Sequence, residues 1–132
     1  MTFPAFAAVP PTRLLPAPEA IQSRATELGL NLAFDTDWRW DDFAGWLPAR
    51  FLGEETGFEL ITDHVDDNPH HAVAGRPELK CLLELGIRGG LHSCLAAYAF
   101  AGIVVDMTNG ELDVDEDENL VGKEAWAWYQ RR

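Results

Sequence analysis

The chain of 132 residues carries 22 Asp and Glu against 10 Lys and Arg, which gives a formal net charge of −12. This balance excludes nucleic acid and anionic membranes as partners, because phosphate binding requires Lys and Arg, and it favours a basic protein partner. Hydrophobic residues make up 47% of the chain, enough for one folded domain over residues 1–132. No apolar run approaches the roughly 20 residues of a membrane span, so we expect a cytoplasmic protein, whose oligomeric state the sequence leaves open.

The first quarter of the chain predicts an extended arm, one helix and one short strand. Residues 1–18 contain five of the eight prolines, which favours a Pro-rich, extended N-terminal arm. Pro18 suits the first turn of a helix, apolar residues follow at helical spacing from Ile21, and Gly29 is a typical stop. The apolar run at residues 30–34 then predicts a strand.

The rest of the chain predicts mainly strands. Residues 79–87 give the clearest pattern, because apolar and polar residues alternate there as in a half-buried strand. Before it, strands are predicted at 46–52 and 58–64 around a hairpin loop at 53–57, followed by a polar loop at 65–78. After it, we predict a helix at 91–101, a buried strand at 103–105 and an Asn109-Gly110 turn. A strand at 111–114 and a helix at about 122–129 complete the predicted elements. Together these elements predict an α+β fold, a single domain with a mostly antiparallel sheet and helices packed on one face.

Aromatic and acidic residues suggest where a partner binds. Trp38 and Trp40 alternate with charged residues, so in an extended segment both rings would share one face. Burial in the core is the alternative explanation for these rings, whereas exposed rings beside acids have the composition of protein-binding hot spots. A further cluster places five acids in residues 113–118. The candidate partner-binding residues are Trp38, Trp40, Asp41, Asp42, Asp113, Asp115 and Asp117.

Two sets of residues match metal-binding patterns in part. His and Asp residues crowd one loop, and the candidate transition-metal ligands are His64, Asp66, His70 and His71. That loop offers no helical spacing to fix their positions. A second set falls at the ligand positions of a calcium loop: Asp113, Asp115, Asp117, Asn119 and Glu124. Glu118 occupies the position where the sharp turn of that loop needs Gly, so we predict no bound metal and no cofactor.

Nucleophilic chemistry has no recognisable motif in this sequence. Ser93 lacks the Gly-x-Ser-x-Gly setting of a nucleophile elbow, and His92 and Cys94 would point to different faces of a helix. Cys81 and Cys94 form no Cys-x-x-Cys pair and are expected to be small buried apolar residues. These absences favour a non-enzymatic protein.

A stretch of the chain resembles a group of small bacterial proteins. Leu47-Pro48 followed by Gly-Glu-Glu-Thr-Gly-Phe-Glu at 53–59 is similar to a hairpin in proteins associated with polymorphic toxin and secretion loci. The run at 83–90, the Ala-rich helix, residues 102–106 and Gly110 are similar to the second half of that pattern, so the resemblance covers about residues 46–110. It implies an immunity protein, which neutralises a cognate toxin by occlusion. The alternative is a small enzyme or a metal- or ligand-binding domain that uses the loop from His64 to His71.

Overall fold

A seven-stranded antiparallel sheet organises the chain in the computed structural model, which describes residues 2–67, 73–88, 90–115 and 118–121. The strands are β1 (Thr2–Val9), β2 (Leu32–Phe34), β3 (Gly45–Phe51), β4 (Glu54–His64), β5 (Cys81–Arg88), β6 (Glu111–Asp115) and β7 (Glu118–Val121). Their order across the sheet is β2-β3-β4-β5-β1-β6-β7, and every neighbouring pair is antiparallel. The predicted antiparallel sheet is therefore confirmed.

Two helices, α1 (Pro18–Glu27) and α2 (Gly90–Thr108), pack on one face of this sheet. Single turns of 3₁₀ helix at Thr12–Leu14 and Val65–Asp67 complete the regular structure of the described residues. The helix-covered side, here called the inner face, collects the alternating apolar residues of the strands into one core. This arrangement confirms the predicted single-domain α+β fold with helices on one face of the sheet.

Strand β5 lies near the middle of the sheet, between β4 and β1. Leu83 pairs with Ala7 on one side and Thr62 on the other, and its side chain is completely buried on the inner face. Cys81 and Leu85 are buried beside it, as the alternation predicts. Leu82 projects to the opposite, outer face and is also buried, at 2% exposure.

Helix α1 begins and ends where its sequence signals predict. Pro18 occupies the first turn, where its missing N–H needs no partner, and Ile21 is buried against the core. The chain leaves the helix at Gly29, whose φ of +74° favours glycine. Gln22 projects from this helix to β2: its side-chain amide donates to the Leu32 carbonyl at 2.8 Å and accepts from the Phe34 N–H at 3.0 Å.

Helix α2 continues through the residues predicted to form a separate strand. The expected helix at 91–101 and the expected strand at 103–105 are one helix, so the predicted end of the helix at 101 and the strand prediction were both wrong. The β-branched residues Ile103, Val104 and Val105 are completely buried. Apolar contacts on all sides of this helix outweigh the weak local preference of β-branched residues for strands, which is typical of a helix buried in a core.

The Asn109-Gly110 turn ends α2 instead of joining two strands. Asn109 has a φ of +56°, and the Gly110 N–H donates to the Val105 carbonyl at 3.2 Å, as in a Schellman helix end. A Cβ on Gly110 would lie 2.4 Å from the Ala8 carbonyl oxygen, so only glycine lets the chain pass this close to β1. The predicted turn is therefore present, but it joins a helix to a strand.

The hairpin of β3 and β4 is tighter than the sequence predicts. Its loop is Leu52-Gly53, because β4 already begins at Glu54, where a polar loop at 53–57 was expected. Both loop residues have positive φ, 52° and 81°, as in the turn type that matches the twist of a two-residue hairpin. Leu52 adopts this conformation without being glycine and remains 54% exposed.

The backbone hydrogen bonds between β4 and β5 end where the Ser93 side chain takes their place. Regular pairing stops at Glu59 and Gly86, and the next step is bridged by the Ser93 hydroxyl of α2. Ser93 Oγ donates to the Gly57 carbonyl at 2.7 Å and accepts from the Arg88 N–H at 3.2 Å. Ser93 is 1% exposed and Gly57 is buried, so the hydroxyl satisfies a carbonyl that water does not reach, together with the part-buried N–H of Arg88.

Two sequence predictions concern the ends of the chain. Residues 2–9 of the predicted N-terminal arm are extended, but they form β1 between β5 and β6, because Ala5, Ala7 and Val9 supply apolar side chains to the inner face. The predicted helix at about 122–129 lies outside the described residues. Among the residues that the structure describes, no helix is long and apolar enough to cross a membrane.

Candidate functional site

Trp38 and Trp40 lie in the irregular segment between β2 and β3, and both are 7% exposed. Their rings meet edge to face with centroids 4.9 Å apart, and each centroid lies 6.3 Å from that of Phe100 in α2. Each indole N–H is satisfied: Trp38 donates to the Asp35 carbonyl at 2.6 Å and Trp40 to the Pro16 carbonyl at 2.7 Å. Both rings are buried, as the core-packing alternative expects, and their contact with a partner stays a prediction.

The acids around these rings point to the surface. Asp41 and Asp42 are exposed, as are Asp35 and Asp37 earlier in the segment. Asp41 accepts a hydrogen bond at 3.0 Å from the Thr12 hydroxyl, which joins this segment to the 3₁₀ turn before α1. The buried indoles therefore hold the segment in place while its carboxylates remain in water.

A cavity of about 360 Å³ opens where this segment meets the ends of β4 and β5. We call it the acidic cleft. It is lined by Pro11, Thr12, Trp40, Asp41, Thr62, Asp63, His64, Lys80 and Cys81. The pairing of His64 with Cys81 and the bond from the Val65 N–H to the Lys80 carbonyl at 3.0 Å fix the strand ends that form its floor. Asp41, a predicted partner-binding residue, and His64, a predicted metal ligand, thus line the same cavity.

Cys81, the cysteine that lines the cleft, is not an activated nucleophile. Cys81 is 5% exposed, and burial raises the pKa of its thiol to about 11, so at neutral pH it stays protonated. The free cysteines, Cys81 and Cys94, are not joined in a disulfide. His64 is exposed at the end of β4, and its backbone N–H donates to the Asp63 carboxylate at 2.8 Å.

The proposed transition-metal set is only partly described. Asp66 lies in the 3₁₀ turn Val65–Asp67 and is exposed, whereas His70 and His71 lie outside the described residues. Within the described ranges, no group of three or more His, Cys, Asp or Glu side chains is arranged to hold a metal ion. The prediction of a metal-free protein stays a prediction.

The described residues of the calcium template belong to two paired strands. Asp113 and Asp115 lie in β6, and Asn119 in β7 pairs with Asp113. A calcium loop winds around its ion, whereas these residues run along an antiparallel hairpin. Asp117 and Glu124 lie outside the described residues. The structure brings Asp41 to the acidic cleft, and the backbone of this hairpin lies at the far side of the sheet beyond β1.

Two exposed apolar residues were not singled out from the sequence. Trp46 in β3 is 43% exposed and Ile61 in β4 is 38% exposed, both on the outer face. The period-two alternation of β3 contained the signal, because Leu47, Ala49 and Phe51 occupy the inner face and leave Trp46 on the other one. An exposed aromatic side chain is therefore found at Trp46, whereas Trp38 and Trp40 are buried.

Comparison with known proteins returns no relative: no protein-family profile, no curated protein and no solved structure matches the chain. Function must therefore be inferred from the geometry of these surfaces.

Proposed function

We propose that the chain is a non-enzymatic, cytoplasmic protein-binding module that holds a basic partner at the acidic cleft. The supporting observation is the convergence of two acidic clusters that are separate in sequence. Asp41 comes from the cluster at 35–42 and Asp63 from the cluster at 63–67, and both line the same cavity. Carboxylates around a concave surface attract Lys and Arg side chains over a long range and orient their approach.

The partner in this proposal is a toxin, and the activity is its inhibition by occlusion, as in an immunity protein. The net charge of −12 complements a basic toxin surface and speeds the encounter of the two proteins. The segment that carries Asp41 is fixed before binding by the buried Trp38 and Trp40 and by the Thr12 hydroxyl. A surface ordered in advance loses little conformational freedom on association, which favours tight binding.

The experiment removes charge from the cleft without changing its shape. The wild-type chain captures the partner from cells of its source, and association with the purified partner is then followed by stopped flow at low and physiological salt. Asp41→Asn combined with Asp63→Asn should slow association about tenfold at low salt and flatten its salt dependence, while dissociation changes less. The captured protein should be a toxin that loses its activity at one equivalent of the wild-type chain.

A matched control removes the same charge elsewhere. Glu54→Gln with Glu55→Gln alters two exposed carboxylates at the opposite end of β4, roughly 30 Å from the cleft. This control should reduce the association rate much less than the cleft variant. Equal rates for the two variants, or a partner that stays active when saturated with the chain, would contradict the proposal.

A second candidate is a small-molecule site in the same cavity. Its volume of about 360 Å³ suits a small ligand, and His64, Asp63 and Lys80 offer groups that bind and exchange protons. This reading continues the alternative of a small enzyme or ligand-binding domain based on His64. A thermal-shift screen of metabolites and divalent metals separates the two candidates: a ligand that raises the midpoint of the wild-type chain but not of His64→Ala would favour this one.

A further inference from the structure

Trp46, Glu59, Ile61 and Glu84 form a surface patch on the outer face of the sheet, here called the outer patch. The strand register brings them together, because Trp46 pairs with Glu59 across β3 and β4, and Ile61 pairs with Glu84 across β4 and β5. Directly opposite residues on one face of an antiparallel pair have Cβ atoms about 5 Å apart. The two apolar side chains are 43% and 38% exposed, so they present apolar area to water.

The Trp46 ring packs closely over the backbone of Gly57. A Cβ on Gly57 would lie 2.6 Å from ring atoms Cε2 and Cζ2 of Trp46, so the ring covers the glycine backbone in the space that a larger side chain would fill. The Gly57 carbonyl is itself held by the Ser93 hydroxyl at 2.7 Å. A large aromatic side chain that is already positioned gives contact area with little loss of freedom on binding.

The charges between these apolar residues favour a basic occupant. Glu59 forms an ion pair with Arg88, whereas Glu84 has no basic partner among the described residues. Asp63 follows Ile61 by two positions and therefore projects from the same face of β4, and it also lines the acidic cleft. Asp63 therefore adjoins both the outer patch and the cleft along β4, and a net charge of −12 on each chain opposes a second copy as the occupant.

We propose that the outer patch docks the apolar part of a basic partner, a protein surface that presents Lys or Arg next to an exposed aliphatic or aromatic side chain. This inference rests on the proposed function, since it assigns the cleft to steering by charge and the patch to short-range apolar contact. Central aromatic anchors carry most of the binding energy in such interfaces, and charged neighbours set specificity.

Two charge-matched peptides test the patch without knowledge of the partner. One alternates Lys with Leu and the other alternates Lys with Gly, and binding is followed by the indole N–H signals in proton–nitrogen NMR spectra. The Trp46 signal is assigned by its loss in Trp46→Phe. The Lys–Leu peptide should shift the Trp46 signal and bind about tenfold more tightly than the Lys–Gly peptide. Trp46→Ala and Ile61→Ser should each reduce that preference, and Met107→Ala should keep it, because Met107 is equally exposed (38%) but belongs to α2.

The outcomes separate this inference from the proposed function. Equal affinities for the two peptides with an unmoved Trp46 signal would overturn the docking role of the outer patch. If the Asp41→Asn, Asp63→Asn variant still slows association with the captured toxin in that case, the proposed function stands without the patch. Sedimentation that shows a dimer of the wild-type chain and a monomer of Trp46→Ala would also overturn it, because a second copy would then be the occupant. Ile61→Ser decides the matter if Trp46→Ala does not fold.

Discussion

Replacing Ser93 with Ala removes the hydroxyl that joins the Gly57 carbonyl to the Arg88 N–H. Ser93 is 1% exposed, and its hydroxyl makes one bond to each strand, at 2.7 Å and 3.2 Å. A typical intramolecular hydrogen bond contributes about 1 kcal/mol net, and a buried group left without a partner costs about 1–3 kcal/mol. With two bonds lost and little volume removed, we expect Ser93→Ala to lower the free energy of unfolding by about 2–3 kcal/mol.

The assay is urea unfolding followed by circular dichroism, together with a thermal melt. A loss of this size lowers the midpoint temperature of a chain of this length by about 6–12 °C. The slope of the unfolding free energy against urea concentration should stay unchanged, because unfolding exposes the same surface. Ser23→Ala on the exposed side of α1 is the matched control and should change stability by less than about 0.5 kcal/mol. If Ser93→Ala lowered the free energy of unfolding as little as Ser23→Ala does, the reasoning would be refuted, because the two backbone groups would then have found other partners without the hydroxyl.

Three further predictions test the core, a thiol and the absence of metal. Leu83→Asp places a charge at a completely buried position and should cost at least about 4 kcal/mol, whereas Leu52→Asp at the exposed hairpin should be tolerated; a cooperative Leu83→Asp melt at the wild-type midpoint would contradict the burial. Alkylation at pH 8, followed by mass spectrometry, should modify Cys94 long before Cys81, because Cys94 is only half-buried, whereas burial raises the pKa of Cys81 from 9.0 to about 11 and so lowers its own thiolate fraction about 100-fold; equal rates would count against the buried thiol. Elemental analysis of untagged protein should find less than about one-tenth equivalent of zinc or calcium, and a chelator-sensitive midpoint would revive the metal-binding alternative.

Elements with strong local signals could be predicted from the sequence. The helix after Pro18 has a proline at its start, helical spacing of its apolar residues and Gly29 at its end, and β5 shows the alternation of a half-buried strand. The predicted strand at 103–105 failed because β-branched residues also fit a helix that is buried on all sides. Local residue preferences decide the secondary structure of exposed segments, whereas tertiary packing can override them in buried segments such as α2.

The candidate site depended on contacts that the sequence does not reveal. The nearness of Asp41 to Asp63 follows from the path of the chain around the sheet, which no local pattern encodes. The position of Trp46 on the outer face could have been read from the alternation of β3, but its 43% exposure depends on what covers that face. The burial of Trp38 and Trp40 depends on Phe100, a residue far along the chain.

The contact of Gln22 with β2 limits how this molecule can assemble with others. A three-residue strand at the border of a sheet exposes backbone groups that can recruit a strand from another chain, the route by which sheets grow into aggregates. Here the Gln22 amide occupies the Leu32 carbonyl and the Phe34 N–H, as a neighbouring strand would. An incoming peptide must first displace that amide, so this border of the sheet is blocked to strand exchange, and recognition is left to side-chain surfaces that can discriminate between partners.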